Sequence, residues 1–192
     1  MMRIITGKAR GVRLTTLEGE NTRPTSERAK EAIFSMLQFE IQGKEVLDLF
    51  SGSGQMGLEA LSRGASHAVL CDRSKEAVEV IRTNANKTRL APFCDVLCAD
   101  YTVALRNLRR KNGFDIVFLD PPYASKAIPQ ALRLMIENGL LNEDAKIVCE
   151  TGSDADVFCD DGELSTHFEV LRAARYGVAY VTVLRFHATK EG

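Results

Sequence analysis

At 192 residues, 45% hydrophobic and 27% charged, with a formal net charge of −1, the chain has the profile of one soluble globular domain, long enough to bury about two-thirds of its unfolded surface. No apolar run approaches the roughly 20 residues that span a bilayer, and the start MMRIITGKARG lacks a continuous apolar stretch of signal-peptide length, so a cytoplasmic protein is expected. Cys71, Cys94, Cys98, Cys149 and Cys159 are scattered and odd in number, which predicts reduced, buried thiols; Cys94 and Cys98 have no second pair or nearby histidines, so no metal site is expected.

The near-neutral total conceals a basic front end. Residues 1–30 carry seven basic side chains (Arg3, Lys8, Arg10, Arg13, Arg23, Arg28, Lys30) against three acidic ones. Such a local excess on a neutral protein suits a polyanionic partner engaged at one end, or else a solvated arm. RIITGKARGVRL (3–14) alternates around two glycines and predicts a short basic β-hairpin. TRPTSERAKEAIFSML (22–37) predicts a helix capped by Thr25 or Ser26, with Ala29, Ile33, Met36 and Leu37 on one face.

From residue 44 onward, strands alternate with helices. KEVLDLF (44–50), HAVLCD (67–72), FCDVLCA (93–99), FDIVFLD (114–120) and AKIVCE (145–150) are nearly continuous apolar runs, as strands covered on both faces require. Between them lie QMGLEALSRG (55–64), SKEAVEVIRTNANK (74–87), YTVALRNLRRK (101–111) and SKAIPQALRLMIENG (125–139). In the second of these, Ala77, Val78, Ile81 and Ala85 fall at helical spacing behind Ser74 as N-cap; in the fourth, Pro129 belongs in the first turn or kinks the helix. FEVLRAARYGVAYVTVLRFH (168–187) then reads as a hairpin about Tyr176-Gly177. The expectation is an α/β fold: a mostly parallel seven-stranded sheet, helices on both faces and a C-terminal antiparallel hairpin. A single domain is expected, with 1–21 as the hairpin extension and 22–192 as the core. The acidic stretch 151–163 has no assignment.

The first strand runs into DLFSGSGQMG, where Gly52, Gly54 and Gly57 satisfy G-x-G-x-x-G between a strand and a helix. Asp72 closes the second strand 20 residues after Gly52, where nucleotide-binding folds carry a ribose carboxylate. Asp48 stands four residues before Gly52. It would repel a pyrophosphate and attract the ammonium of an amino acid, which favours S-adenosylmethionine over NAD. Asp100, ending the third strand, offers an acceptor for an adenine amino group. Each of these acids would also serve as the N-cap of a following helix.

DPPY (120–123) ends the fourth strand on the same rim. The nitrogen of an exocyclic base amine is a poor nucleophile because its lone pair is conjugated into the ring. Two acceptors on its N–H groups, the Asp120 carboxylate and the Pro121 carbonyl, would draw it toward tetrahedral geometry, while Tyr123 offers a stacking face. A strand-ending aspartate and a proline turn are the plainer reading of the four residues in isolation. His67, His167 and His187 flank strands, which argues against a dehydrogenase with a histidine proton relay. A non-catalytic RNA-binding module would leave the cofactor motifs without use.

DLFSGSGQMGLEALSRGA, CDRS, Asp100 and FLDPPY resemble the motifs of class I S-adenosylmethionine-dependent methyltransferases that modify exocyclic amines. With RIITGKARGVRL, TRPTSERAKEAIFSML and RYGVAYVTVLRF, the chain resembles, over nearly its whole length, the RsmD-type 16S rRNA (guanine-N2)-methyltransferases of bacteria. The resemblance implies a Rossmann-like core. Asp48, Phe50, Gly52 and Gly54 would hold the methionine end of the cofactor, Asp72 the ribose, Arg73 the adenine edge and Asp100 its amino group. Asp120, Pro121, Pro122 and Tyr123 would form the guanine-N2 site, and Arg3, Lys8, Arg10, Arg13 and Arg23 would grip rRNA phosphates. Gln55 and Met56 are less typical than small residues in that loop. The implied partner is 16S rRNA, a small ribosomal subunit or an assembly intermediate, with no membrane and no obligate protein partner. The alternative is the same chemistry on another rRNA guanine, on adenine N6 or on a protein amide. DNA is disfavoured because the chain has no room for a separate target-recognition domain, and a glutamine acceptor because asparagine is more usual at position 120.

Overall fold

The computed structural model describes residues 2–17, 27–122, 126–153 and 157–188. Seven strands form one sheet: β1 (Glu45–Asp48), β2 (His67–Asp72), β3 (Cys94–Cys98), β4 (Phe114–Leu119), β5 (Leu141–Thr151), β6 (Phe168–Tyr176) and β7 (Ala179–Phe186). Their order is β3-β2-β1-β4-β5-β7-β6. The first five are parallel, and the β6–β7 hairpin joins antiparallel to β5. The expected α/β architecture is what the chain adopts.

Alternation along each central strand divides the apolar side chains between two layers. Leu47, Val117, Leu119, Ile147 and Leu184 pack on one face beneath α4 (Tyr101–Asn107), α5 (Ala127–Glu137) and α6 (Gly162–Ser165). Val46, Ile116, Phe118, Val148 and Val183 pack on the other, with residues of the N-terminal arm, α1 (Glu27–Met36), α2 (Gln55–Ser62) and α3 (Lys75–Lys87). Connections that leave the end of one parallel strand and return to the start of the next require such helices on the faces.

Local signals set several boundaries. Ser74 caps α3, its hydroxyl accepting from Ala77 N–H at 3.2 Å. Pro129 lies in the first turn of α5, where a missing N–H costs no helical bond. The helix expected over 101–111 stops early: Leu108 turns to φ −58°, ψ 126°, so α4 ends at Asn107. Within 151–163, Asp161 accepts from Leu164 N–H at 3.0 Å as the cap of α6 and pairs with Arg133. The expectation that all thiols are buried needs correction. Cys71 and Cys149 are interior, but Cys98 and Cys159 are exposed and Cys94 is half-buried, because β3 is the edge strand and Cys159 sits in a turn.

The arm is a hairpin closed by the Arg3–Arg13 bridge and by Ile4 N–H to Val12 C=O at 3.0 Å. Its tip is fastened to α2. Ser62 Oγ accepts from Ala9 N–H at 3.0 Å and donates to Thr6 C=O at 2.6 Å, while Lys8 N–H reaches Ser62 C=O at 2.8 Å. Gly7, at φ +88°, passes so close that a Cβ would stand 1.8 Å from the Ser62 carbonyl oxygen. Gly11 has a similar φ of +84° with nothing within 4 Å of its would-be Cβ. Gly7→Ala is therefore expected to cost about 3 kcal/mol, combining backbone strain with a clash against unyielding main chain. Gly11→Ala is expected to cost only the conformational part, about 1–2 kcal/mol. Thermal unfolding of the two variants compares them; equal losses would contradict the close approach.

Candidate active site

The strand order sets four carboxylates side by side along one rim of the sheet. Asp48 is the last residue of β1 and Asp72 the last of β2; Asp100 follows β3 by two positions, and Asp120 directly follows β4. β1 lies between β2 and β4, so the connections leave it in opposite directions there. Such a switch point, at the carboxyl ends of the strands, is where open α/β sheets form a ligand crevice.

The loop from β1 to α2 is built on two of these acids. Gly52 N–H donates to Asp72 Oδ2 at 2.9 Å, and Gly57 N–H donates to Asp48 Oδ2 at 2.9 Å. Ser51 N–H reaches across to Cys71 C=O at 2.9 Å, and Gly54 N–H closes the turn on Ser51 C=O at 2.7 Å. Gly54 then caps α2 at φ 78°, and the position a Cβ would take on Gly52 faces open space. The second oxygen of Asp72, Oδ1, accepts from Ser74 N–H at 2.9 Å.

Electrostatically the four acids differ. Asp48 is only 4% exposed, and burial lifts its carboxyl from the ordinary 3.8 to about 7; the Gly57 bond opposes that rise and the Asp72 charge adds to it. Asp100 is exposed, and hydrogen bonds from Thr102 hold its carboxyl below the usual range, with Arg73 helping. Those bonds, from the Thr102 N–H at 2.9 Å and hydroxyl at 2.6 Å, both fall on Oδ1. Beneath the rim, burial and the neighbouring carboxylates push the Cys71 thiol up to about 12, so it supplies no thiolate at neutral pH.

Phe50, in the same loop, has its ring centroid 5.3 Å from that of Tyr101, whose hydroxyl donates to Gln130 at 2.6 Å. Asp120 is exposed, Pro121 buried and Pro122 exposed. Asp48 is in register with Phe118, so Phe50 and Asp120 each stand two residues beyond that pair, past the ends of neighbouring strands. Arg3, Lys8, Arg10 and Arg13 are all exposed on the arm. Its tip, with Lys8, is bonded to Ser62 at the end of α2 remote from the rim, about 12 Å along that helix from its start. Tyr123 and Arg23 lie outside the described residues. The three histidines stand at the end of the sheet opposite the rim. His67 opens β2, and His187, just past β7, donates its N–H to the carbonyl of His167, just before β6.

Tyr101, Glu59 and Asn84 also join this neighbourhood although no motif marks them. Glu59 is fully buried on α2 and accepts Ile5 N–H at 2.7 Å and Thr6 N–H at 3.0 Å. It also receives Arg63 Nε at 2.8 Å and faces Lys30 Nζ at 3.6 Å. Asn84 was detectable in principle. It falls at i+7 in the Ala77, Val78, Ile81, Ala85 stripe, a polar residue on a buried face.

Comparison with known proteins agrees with this geometry. The family model described as "Conserved hypothetical protein 95" matches residues 2–185. The "Putative rRNA methyltransferase YlbH" of Bacillus subtilis is 35% identical over 185 residues, covering 96% of this chain and 98% of that protein. The "Ribosomal RNA small subunit methyltransferase D" of Haemophilus influenzae is 36% identical over 154 residues, 80% of each chain. Among solved structures, one described as "Putative methyltransferase yhhF from Escherichia coli" superposes with a TM-score of 0.84 at 28% identity, covering 98% of this chain and 99% of that one.

Proposed function

The chain belongs to the conserved hypothetical protein 95 family and is a homologue of ribosomal RNA small subunit methyltransferase D, and from that premise we propose that it methylates the exocyclic N2 amine of a guanine in 16S rRNA, using S-adenosylmethionine. The observation that carries this reading is the row of carboxylates around the β1–β4 switch point, one of them buried under the glycine loop and one followed by two prolines.

The residues present fit that cofactor. A buried carboxylate whose ionisation is suppressed is the feature least compatible with a pyrophosphate, and it gains most from a neighbouring ammonium. Asp48, Phe50, Gly52 and Gly54 would hold the amino-acid end. Asp72 would take the ribose hydroxyls: its oxygens each hold one amide N–H, and a carboxylate has about four lone-pair sites. Arg73 and Asp100 would border the adenine. The bound cofactor supplies an electrophilic methyl group on a sulfonium.

The chain's own contribution is positioning. Asp120 and the Pro121 carbonyl accept from the two N–H groups of the amine and turn its lone pair out of conjugation. Pro121 and Pro122 restrict the backbone that carries them. Tyr123 stacks the base, and Arg3, Lys8, Arg10, Arg13 and Arg23 hold phosphates in a salt-dependent grip. No covalent enzyme intermediate is needed, in keeping with the suppressed Cys71 thiolate and with the histidines at the far end of the sheet. The whole chain works as one domain, residues 1–21 as an RNA-binding extension on a catalytic core of 22–192.

The test is transfer of tritium from labelled S-adenosylmethionine to undermethylated small ribosomal subunits, followed by nucleoside analysis. Label in N2-methylguanosine is expected. Label in another nucleoside or in protein would sink the guanine assignment, and absence of transfer would sink the activity.

A further inference from the structure

The arm and the glycine loop are joined through one buried side chain of α3. Asn84, on α3, is fully buried. Its Nδ2 donates to two carbonyls at once, Thr15 on the arm and Ser53 in the glycine loop, each at 2.9 Å. Its Oδ1 accepts from Thr15 N–H at 2.8 Å. One rigid amide plane thus ties a segment 69 residues away to another 31 residues away. The Ser53 hydroxyl meets the arm a second time at Met2 Sδ, at 3.0 Å. Below these contacts the arm is fixed to α2 through Glu59 and Ser62. Ser53 lies between Gly52 and Gly54, and Gly52 N–H is bonded to Asp72. Asn84 and Ser53 are buried and Thr15 half-buried, so a shift of Thr15 must either move Ser53 or break a hydrogen bond of a buried amide, which is costly.

Resting on the reading of the arm as the RNA grip and of the loop as the cofactor site, we propose that Asn84 is a positioning residue that couples the two, so that RNA seated on the arm tightens cofactor binding at the loop. Thr15 is the element on which both sites pull. RNA that orders the arm fixes Thr15, Thr15 fixes the Asn84 amide, and the amide sets Ser53. Linkage makes the effect reciprocal: the cofactor raises RNA affinity by the same factor. An enzyme so built spends its cofactor-bound state on RNA already engaged.

The experiment is calorimetric titration of the full chain with S-adenosylhomocysteine, alone and with saturating small ribosomal subunits or protein-free small-subunit rRNA. The wild type is expected to bind at least about fivefold more tightly with the nucleic acid present, the lower end of ordinary coupling. In Asn84→Ala the affinity without nucleic acid falls several-fold and the nucleic-acid effect disappears. Its KM for S-adenosylmethionine rises, while kcat at saturating cofactor stays within about twofold, which a merely structural lesion would not do. Asn84→Asp is the second variant: it keeps the acceptor for Thr15 N–H but turns an anionic oxygen toward the two carbonyls, and the same loss of coupling is expected. Equal affinities with and without nucleic acid in the wild type overturn the inference without any variant. So does a folded variant that retains the coupling, or one that loses kcat at unchanged KM. Failure of the wild type to bind S-adenosylhomocysteine or either nucleic acid overturns the functional reading itself and the inference with it.

Discussion

Asp120→Ala is expected to lower methyl transfer by at least about 10²–10³-fold, the scale on which removing one well-placed polar partner of a transition state acts. Affinity for S-adenosylhomocysteine should stay within about twofold. The separation follows from where the residue stands. Asp48, Asp72 and the glycine loop are tied to one another by the Gly57 and Gly52 amides, whereas Asp120 directly follows the neighbouring strand β4 and is exposed. Its removal would leave the loop bonds intact and, on the proposed mechanism, take one of two acceptors from the amine, whose lone pair would then remain in conjugation with the ring. Asp120→Asn should fall between the two, because a carboxamide oxygen still accepts but lacks the charge that favours an amine becoming cationic. Single-turnover transfer on small subunits, paired with calorimetry, makes the comparison. Unchanged transfer in the alanine variant would remove Asp120 from the chemistry; parallel loss of cofactor binding would move it to the cofactor side.

The sheet was legible because β1, β2 and β4 are short apolar runs that end at, or directly before, an aspartate. HAVLCD coincides with β2, and FDIVFLD overlaps β4 to within a residue. Periodicity also sufficed for α3, where the cap and the stripe agree. It failed where local pattern and tertiary context part. LRRK continues the helical composition of α4, yet the chain turns extended at Leu108, and the guanidinium of Arg110 settles over the Phe114 ring, 4.6 Å from its centroid. The α6 turn has only four residues and no periodicity to read.

The site was legible as positions and not as environments. That four acids end four adjacent strands follows from the alternation of strands and helices. That Asp48 is buried, with its oxygen on Gly57 N–H, while Asp100 is exposed and held by Thr102, depends on packing that no spacing encodes. The ties between arm and core are less legible still. Glu59 answers amides more than 50 positions away, and Asn84 answers Thr15 across 69. A polar residue on an apolar helical face signals that a partner exists; only the fold says which one.

The buried carboxyl of Asp48 makes a prediction of opposite sign for the empty and the loaded protein. Its folded value of about 7 lies above the ordinary 3.8, so between those pH values the folded chain holds a proton that the unfolded chain releases. Stability from this group is therefore lost as pH rises from about 4 to 7, and above 7 the fold carries a buried charge. Asp48→Asn keeps an acceptor for Gly57 N–H and never ionises. Without cofactor it should match the wild type near pH 4 and exceed it at pH 8, by on the order of 4 kcal/mol at most, at 1.36 kcal/mol per pKa unit. With cofactor the order reverses. A ligand ammonium selects the ionised carboxylate, so the variant should bind S-adenosylhomocysteine about 10- to 100-fold more weakly at pH 8, as loss of a charge-assisted bond implies. In the wild type, affinity should fall toward tenfold per pH unit below 7 as Asp48 takes up its proton, a dependence the variant lacks. A cofactor fragment that ends at the thioether, with no amino-acid group, should bind both proteins alike. Thermal melts at pH 4 and 8 and calorimetry at pH 5 and 8 measure each arm. A variant no more stable than wild type at pH 8 would mean that Asp48 is not the strained group, and an unchanged affinity there would mean that the ammonium is held elsewhere.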